Sequence, residues 1–413
     1  MVTLYNPPSF YYTGWHYDYL PPLVLAIFAQ MLNDEGIKAQ VIDLEKMKVL
    51  PEDIDPPKGD IAAFTCLTIG ARGVRDSIRS LRDKGYRGRI VVGGVHATLK
   101  PDEVLAMGAD LVVTGESDGN FIDLVMGDRT GIVQGEPLPI DEIASPDWDA
   151  CIPDVGGYRG QYKILNPKAG VAMWQRGCPF SCVFCGNVIF GGQKTRYRPP
   201  KKIEAEMKDL HERCINRVYV YDDEMIGTKQ PDGWMREIAD RIEPLGMIWA
   251  TQARCSKRYV TEQVLNDMHR AGCRMIFWGV ESLSQNVLDA IDKQTTVEDI
   301  KHSLKLSKQA GIDNSLFMMV GNYKETEADL DITRNTLHRL YKQGLVDHIQ
   351  VFVAKIFPGA RLVDISKREG WYRENEDPRV WTRNDPQPTP WLSGSQIRQW
   401  KSKLMQACPV PSP

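Results

Sequence analysis

The chain has 413 residues, 42% of them hydrophobic, and a formal net charge of −3. That length calls for two domains, each with a core of its own. The small negative charge gives no basic field to draw nucleic acid or anionic lipid. The start, MVTLYNPPSF, lacks the charged and apolar regions of a signal peptide. The best apolar run, LPPLVLAIFAQML from Leu20, meets Asn33, Asp34 and Glu35 too soon to span a bilayer. We therefore expect a soluble, cytoplasmic protein whose nine cysteines stay reduced.

In chain order, residues 1–128 alternate short β-like runs with helical patterns. The strands are expected at 2–6, 39–44, 61–67, 89–94 and 110–115, with helices at 21–35, 73–84 and 101–107. Continuous apolar strands joined by helices predict an open, doubly wound α/β sheet of Rossmann-like form. Ligands sit at the carboxyl ends of such strands, near the switch in strand order. The loops there are CLTIGARG, GGVHATLKP and GESDG, and the first strand is followed by NPPSFYYTGWHYDYLPP. No GxGxxG follows the first strand, which disfavours a dinucleotide.

Residues 129–168 hold scattered Gly, Pro and acids without periodicity and read as a linker. From 169 to 371 the alternation resumes. Strands are expected at 170–175, 217–222, 247–252, 274–280, 315–321 and 348–354, with helices at 199–214, 232–243, 260–271, 297–310, 325–343 and 360–369. Six βα units predict a partial, TIM-like (β/α)6 barrel with its chemistry at the strand carboxyl ends. Residues 372–413 form a short extension with one helical pattern, 395–407, expected to pack over one end of the barrel.

The loop after the first barrel strand is RGCPFSCVFCG, with Cys178, Cys182 and Cys185 in a Cys-x3-Cys-x2-Cys spacing. A reducing compartment argues against disulfides. A structural zinc ion takes four protein ligands, and no second CxxC or His pair is present. Three thiolates on a short loop suit a cubane iron–sulfur cluster with one iron open.

This spacing, with aromatic Phe184 before the last cysteine, resembles the signature of radical S-adenosylmethionine (SAM) enzymes. The stretches TRYRPPKKIEAEM (195–207), VYVYDDEMIG (218–227), ATQARCSKRYV (250–260), WGVESLS (278–284) and AKIFPGARL (354–362) extend the resemblance along the barrel. GGVHAT (93–98) and GESDG (115–119) look like the strand loops of the B12-binding domain that precedes the barrel in one large class. Leu283 stands where that class usually has glycine, VGNYKET (320–326) replaces GxPGET, and the cobalt-ligating DxHxxG is missing.

The resemblance implies a C-methyltransferase with three cofactors: a [4Fe–4S] cluster, SAM and cobalamin. The cluster reduces SAM, and the resulting 5′-deoxyadenosyl radical takes hydrogen from an unactivated carbon that methylcobalamin then methylates. Oxidative cyclisation or ring rearrangement with the same cofactors is an alternative, as is radical chemistry without cobalamin. It also implies an external electron donor such as a flavodoxin or ferredoxin. The short extension suggests an open site that admits a bulky or extended substrate, or a site completed by a partner.

Cys178, Cys182 and Cys185 are the implied metal ligands and catalytic centre. For SAM, besides Phe184, the strand ends offer Asp222, Gln252, Arg254, Glu281 and Ser282, with Arg254 expected to pair with the SAM carboxylate. Asp223 and Glu224 are ambiguous, because adjacent residues point to opposite faces. For cobalamin we expect Thr65, Leu67, Thr68, Gly93, Gly94, His96, Gly115 and Glu116, with Leu67 or Ile69 shielding the lower face of cobalt. His16 and the aromatic residues Phe10, Tyr11, Tyr12, Trp15, Tyr17 and Tyr19 lie in the first loop. The other six cysteines read as small buried hydrophobes.

Overall fold

The computed structural model describes residues 1–9, 20–160, 162–186, 194–373 and 386–409. The chain forms two compact units, the first Met1–Arg159 and the second beginning at Gly160.

The first unit is a wholly parallel seven-stranded sheet. Its strands are β1 (Val2–Asn6), β2 (Ala39–Asp43), β3 (Ile61–Thr65), β4 (Arg89–Gly93), β5 (Leu111–Thr114), β6 (Gly131–Gln134) and β7 (Cys151–Ile152), in the order β6-β5-β4-β3-β1-β2-β7. Apolar strand residues such as Leu4, Val92 and Val112 are fully buried, each contributing about 1.5–3 kcal/mol. The helix Ala71–Asp83 buries Val74, Ile78 and Leu81, spaced four and three residues apart, in the core that holds Phe64 and Val92. From β1 the chain steps one way to β2, then returns to the other side of β1 for β3. That reversal opens a crevice at the carboxyl ends of β1 and β3.

Residues 129–168 are not simply a linker, because β6 and β7 add a strand at each edge of this sheet. β6 shows only half-buried and exposed residues in alternation, and β7 is two residues long. Edge strands of that kind leave no continuous apolar run to read.

The second unit carries β8 (Gly170–Ala172), the short antiparallel pair β9 (Gln175–Arg176) and β10 (Arg196–Tyr197), then β11 (Arg217–Val220), β12 (Ile248–Ala253), β13 (Cys273–Glu281), β14 (Asp313–Val320) and β15 (His348–Val353). Its main sheet runs β15-β14-β13-β12-β11-β8, parallel and in chain order. Among the described residues no pairing joins β15 to β8, so six βα units make an open, partial barrel. Trp278 Nε1 donates to Asn314 Oδ1, and Asn314 Nδ2 donates to the Leu304 carbonyl of the helix Val297–Gln309. That face therefore carries helices, and Phe277 and Phe317 take the inner one. Capping boxes at Thr296 and Thr326 fix the starts of two outer helices.

The helix Gly394–Ala407 does not close a barrel end. It lies against the helix Glu327–Lys342, where Trp400 Nε1 donates to Glu327 Oε1 at 2.8 Å, and against β15. No helix among the described residues is long and apolar enough to cross a membrane.

Candidate active site

The cysteine loop leaves β8 and is held from both sides. The three consecutive acids after β11 all bind backbone. Asp222 Oδ1 accepts the amides of Trp174 (2.7 Å) and Gln175 (3.1 Å), and Asp223 Oδ2 accepts that of Gly177 (2.7 Å). Glu224 Oε1 accepts the Gly227 and Arg254 amides at 2.6 and 3.1 Å. Opposite them, Ser181 donates to Asp292 Oδ2 at 3.0 Å, and Arg361 Nη1 donates both to Asp292 Oδ2 and to the Ser181 carbonyl. The Val183 amide donates to Ile291 O, and the Leu362 amide to Val183 O. These anchors fix the backbone of the loop from Trp174 to Val183.

All nine cysteines are free thiols. Cys182 is buried, whereas Cys178 and Cys185 are half-buried. Burial pushes the Cys178 thiol up to about 12, and the Phe180 amide offsets part of that rise. Phe184 is half-buried and packs on a cluster of Val183, Val287, Ile291, Tyr323, Ile356 and Leu362, joined by Trp391 of the extension.

Two buried cations flank the loop. Arg254 donates through Nη1 to Cys182 Sγ (3.4 Å) and through Nε to Thr295 Oγ1 (3.2 Å), with its guanidinium 3.7 Å from the Phe180 ring centroid. Lys293 Nζ lies 2.9 Å from Glu281 Oε1 and 5.8 Å from the Phe184 ring centroid. Burial works against its ammonium, but Glu281 and Cys182 hold its pKa above the usual lysine value. Glu281 itself adopts φ +63° at a register shift in β13.

The remaining expected SAM residues divide. Gln252 is half-buried on the inner face and donates to the Asp222 carbonyl at 2.8 Å. Ser282 is directed elsewhere: its hydroxyl pairs with Thr333 Oγ1 of an outer helix and accepts the Ser284 amide. Asp222 binds the two loop amides, and burial raises its carboxyl to about 8. Sequence reasoning missed Lys293, Thr295 and Asp292 altogether, since no motif marks residues between two helices.

In the first unit, Thr65, Leu67 and Thr68 stand at the exit of β3, beside the crevice, and Leu67 is 47% exposed. Gly94 has φ +106°, and a Cβ there would come within 2.9 Å of the Cys66 amide nitrogen, so only glycine fits. Gly93 meets nothing closer than 3.8 Å. The Gly115 amide donates to Thr98 Oγ1, and Glu116 beside it is half-buried. His96 is buried, with Nδ1 3.3 Å from Thr68 Oγ1 and Nε2 3.4 Å from Glu103 Oε1, so it braces the crevice wall. His16 and the aromatic residues from Phe10 to Tyr19 lie outside the described residues.

The Radical SAM superfamily matches residues 173–337, and the B12 binding domain matches residues 16–125. This chain belongs to the cobalamin-dependent radical SAM family. An uncharacterised methyltransferase of Pyrococcus horikoshii is 27% identical to the enzyme over 83% of this chain and 77% of its own length. The anaerobic magnesium-protoporphyrin IX monomethyl ester cyclase of Rubrivivax gelatinosus is 28% identical over 76% of this chain and 61% of its own. The radical SAM methyltransferase TsrM of Kitasatospora setae, solved with cobalamin and a [4Fe–4S] cluster, has the same fold at a TM-score of 0.67. That match covers 91% of this chain and 79% of TsrM at 16% identity.

The cofactors of a cobalamin-dependent radical SAM enzyme are a [4Fe–4S] cluster, SAM and cobalamin, and the residues present fit them. Three thiols, Cys178, Cys182 and Cys185, lie on one anchored loop, the kind of donor a cluster takes. Beside them two buried polar atoms have no partner, Arg254 Nη2 and Asp222 Oδ2. The open Arg254 donor suits the carboxylate at the methionyl end of SAM. The first unit supplies a crevice at its switch point with an exposed apolar side chain, suited to a flat apolar ring.

Proposed function

We propose that this radical SAM enzyme transfers a methyl group to carbon, with cobalamin as the methyl carrier. The anchored cysteine loop supports the reading: Asp222, Asp223 and Glu224 on one side and Asp292 and Arg361 on the other hold the backbone that carries Cys178, Cys182 and Cys185, in a chain that also has a B12-binding unit. When bound, the cluster and SAM supply a carbon-centred radical, and cobalamin supplies the methyl group.

The chain's own residues bind, orient and shield. Cys178, Cys182 and Cys185 would hold the cluster. Arg254 and Gln252 would hold the SAM end, while Asp222 and Asp223 would steady the loop. Thr65, Leu67, Thr68, Gly93, Gly94, Gly115 and Glu116 would hold the corrin, with Leu67 covering one face of it. A radical must be kept from water and oxygen, which the buried walls around Cys182 favour.

The inner face of the second sheet bears an aromatic ladder. Phe277 lies 5.3 Å from Phe317, and Phe317 lies 5.5 Å from Phe352, centroid to centroid. Tyr221 and Phe352 are exposed toward its carboxyl end. Phe277 is fully buried beneath Tyr162, 4.3 Å away, so Tyr221 and Phe352 are the aromatic groups that a bulky, apolar substrate would meet. A flavodoxin- or ferredoxin-type donor would supply the electron. Nine free thiols suit a reducing compartment such as the cytoplasm.

The test is anaerobic reconstitution with iron, sulfide and hydroxocobalamin, a spectrum of the desalted protein, then SAM with strong reductant. Retained corrin with S-adenosylhomocysteine and 5′-deoxyadenosine is the expected result. Retained corrin with 5′-deoxyadenosine alone would favour a cyclase, the activity of the Rubrivivax relative. 5′-Deoxyadenosine without corrin would point to cobalamin-free radical chemistry.

A further inference from the structure

Arg254 is fixed by contacts from several directions. It leaves the carboxyl end of β12 and is only 5% exposed. Its amide donates to Glu224, its Nε to Thr295, and its guanidinium lies flat enough on Phe180 to approach the ring centroid at 3.7 Å. Phe180 itself lies in the cysteine loop, between Cys178 and Cys182. These contacts aim Nη1 at Cys182 Sγ, 3.4 Å away. A guanidinium stacked on an aromatic ring loses little freedom on donating a further hydrogen bond.

We propose that Arg254 is a positioning residue that raises the reduction potential of the iron–sulfur cluster through an N–H···S hydrogen bond to Cys182. The proposal rests on the family reading that the three cysteines hold that cluster. Reduction adds one electron from an external one-electron donor and makes or breaks no bond. The extra negative charge spreads onto the ligand sulfurs, so a cationic donor at Cys182 stabilises the reduced form more than the oxidised one. Phe180 and Thr295 act by fixing the guanidinium in that geometry. This role differs from pairing with the SAM carboxylate, which Nη2, buried and without a partner, remains free to do.

The experiment is an electron-spin-resonance redox titration of anaerobically reconstituted protein, with iron and sulfide counted per chain and no SAM present. Wild type, Arg254→Gln, Arg254→Lys and Phe180→Leu are compared. The expected result is wild-type iron content with at least a tenfold lower ratio of reduced to oxidised cluster for Arg254→Gln at fixed solution potential, equivalent to about 59 mV for a one-electron couple. Arg254→Lys, which keeps the charge, should recover part of that loss. Phe180→Leu should shift in the same direction by less, and it carries the test if Arg254→Gln fails to load iron. An unchanged potential in fully loaded Arg254→Gln, or in Phe180→Leu should the first not load, would overturn the proposal and leave Arg254 with SAM alone. Wild-type protein that takes up no cluster would overturn the family reading and this proposal together.

Discussion

Asp223 Oδ2 accepts the Gly177 amide at 2.7 Å, one residue before Cys178, the first cysteine of the loop, and Gly177 holds φ +90° there. A side chain from the end of β11 thus fixes where the cysteine loop begins. Asp223→Ala leaves that amide without its partner, a cost of about 1–3 kcal/mol where water cannot replace it. We expect Asp223→Ala to retain less than about half the wild-type iron after reconstitution. Asp223→Asn keeps an acceptor and should retain most of it. Iron per chain, measured colorimetrically on desalted protein, decides the matter.

Glu281 and Lys293 form a buried ion pair at 2.9 Å. Removing one member of such a pair strands a charge and costs about 3–5 kcal/mol. Lys293→Met should lower the unfolding free energy by about that much in urea titrations of the cluster-free chain. Glu281→Gln combined with Lys293→Met should recover a large part of the loss. Equal losses in the single and double variants would show that the pair adds no coupling.

Two buried carboxyls titrate far above their ordinary range. Burial pushes Asp222 up to about 8 and Glu325 up to about 7. Unfolded, both ionise near pH 4. Between those values the folded chain binds more protons than the unfolded one, so stability falls as pH rises. The cluster-free protein should therefore melt at a lower temperature at pH 8 than at pH 5.5. Asp222→Asn still accepts the Trp174 and Gln175 amides through its carbonyl oxygen and should flatten part of that slope. A thermal melt series from pH 5 to 9 checks it, and parallel slopes for the two proteins would refute it.

Leu67 is 47% exposed at the carboxyl end of β3. Leu67→Asp should change folding stability by no more than about 0.5 kcal/mol, as surface substitutions do. It should weaken corrin retention at least tenfold, because it puts a charge where we propose an apolar ring lies. Equilibrium dialysis against hydroxocobalamin, alongside thermal melting, separates the two effects.

Much of this molecule was legible in advance. Short continuous apolar runs and helical stripes of period 3.6 are local properties, and they located five strands of the first unit and all six strands of the partial barrel. The three-cysteine loop was equally visible, because its chemistry resides in eight adjacent residues. The edge strands β6 and β7 escaped, since a half-exposed strand carries no apolar run.

The charged and polar site residues were legible only as types. The acids of 222–224 were open to use on SAM, yet folding spends all three on backbone amides. Ser282 stands beside Glu281 in sequence but bonds to an outer helix, 51 residues away along the chain. Arg254 reaches Cys182 across 72 residues, and Glu281 meets Lys293 only because β13 shifts register at its end. The sequence by itself determined the elements, their alternation and the thiol set. The tertiary structure alone decided which partner each polar group took, because a carboxylate or guanidinium bonds to whatever packing brings within about 3 Å, and that depends on the whole fold.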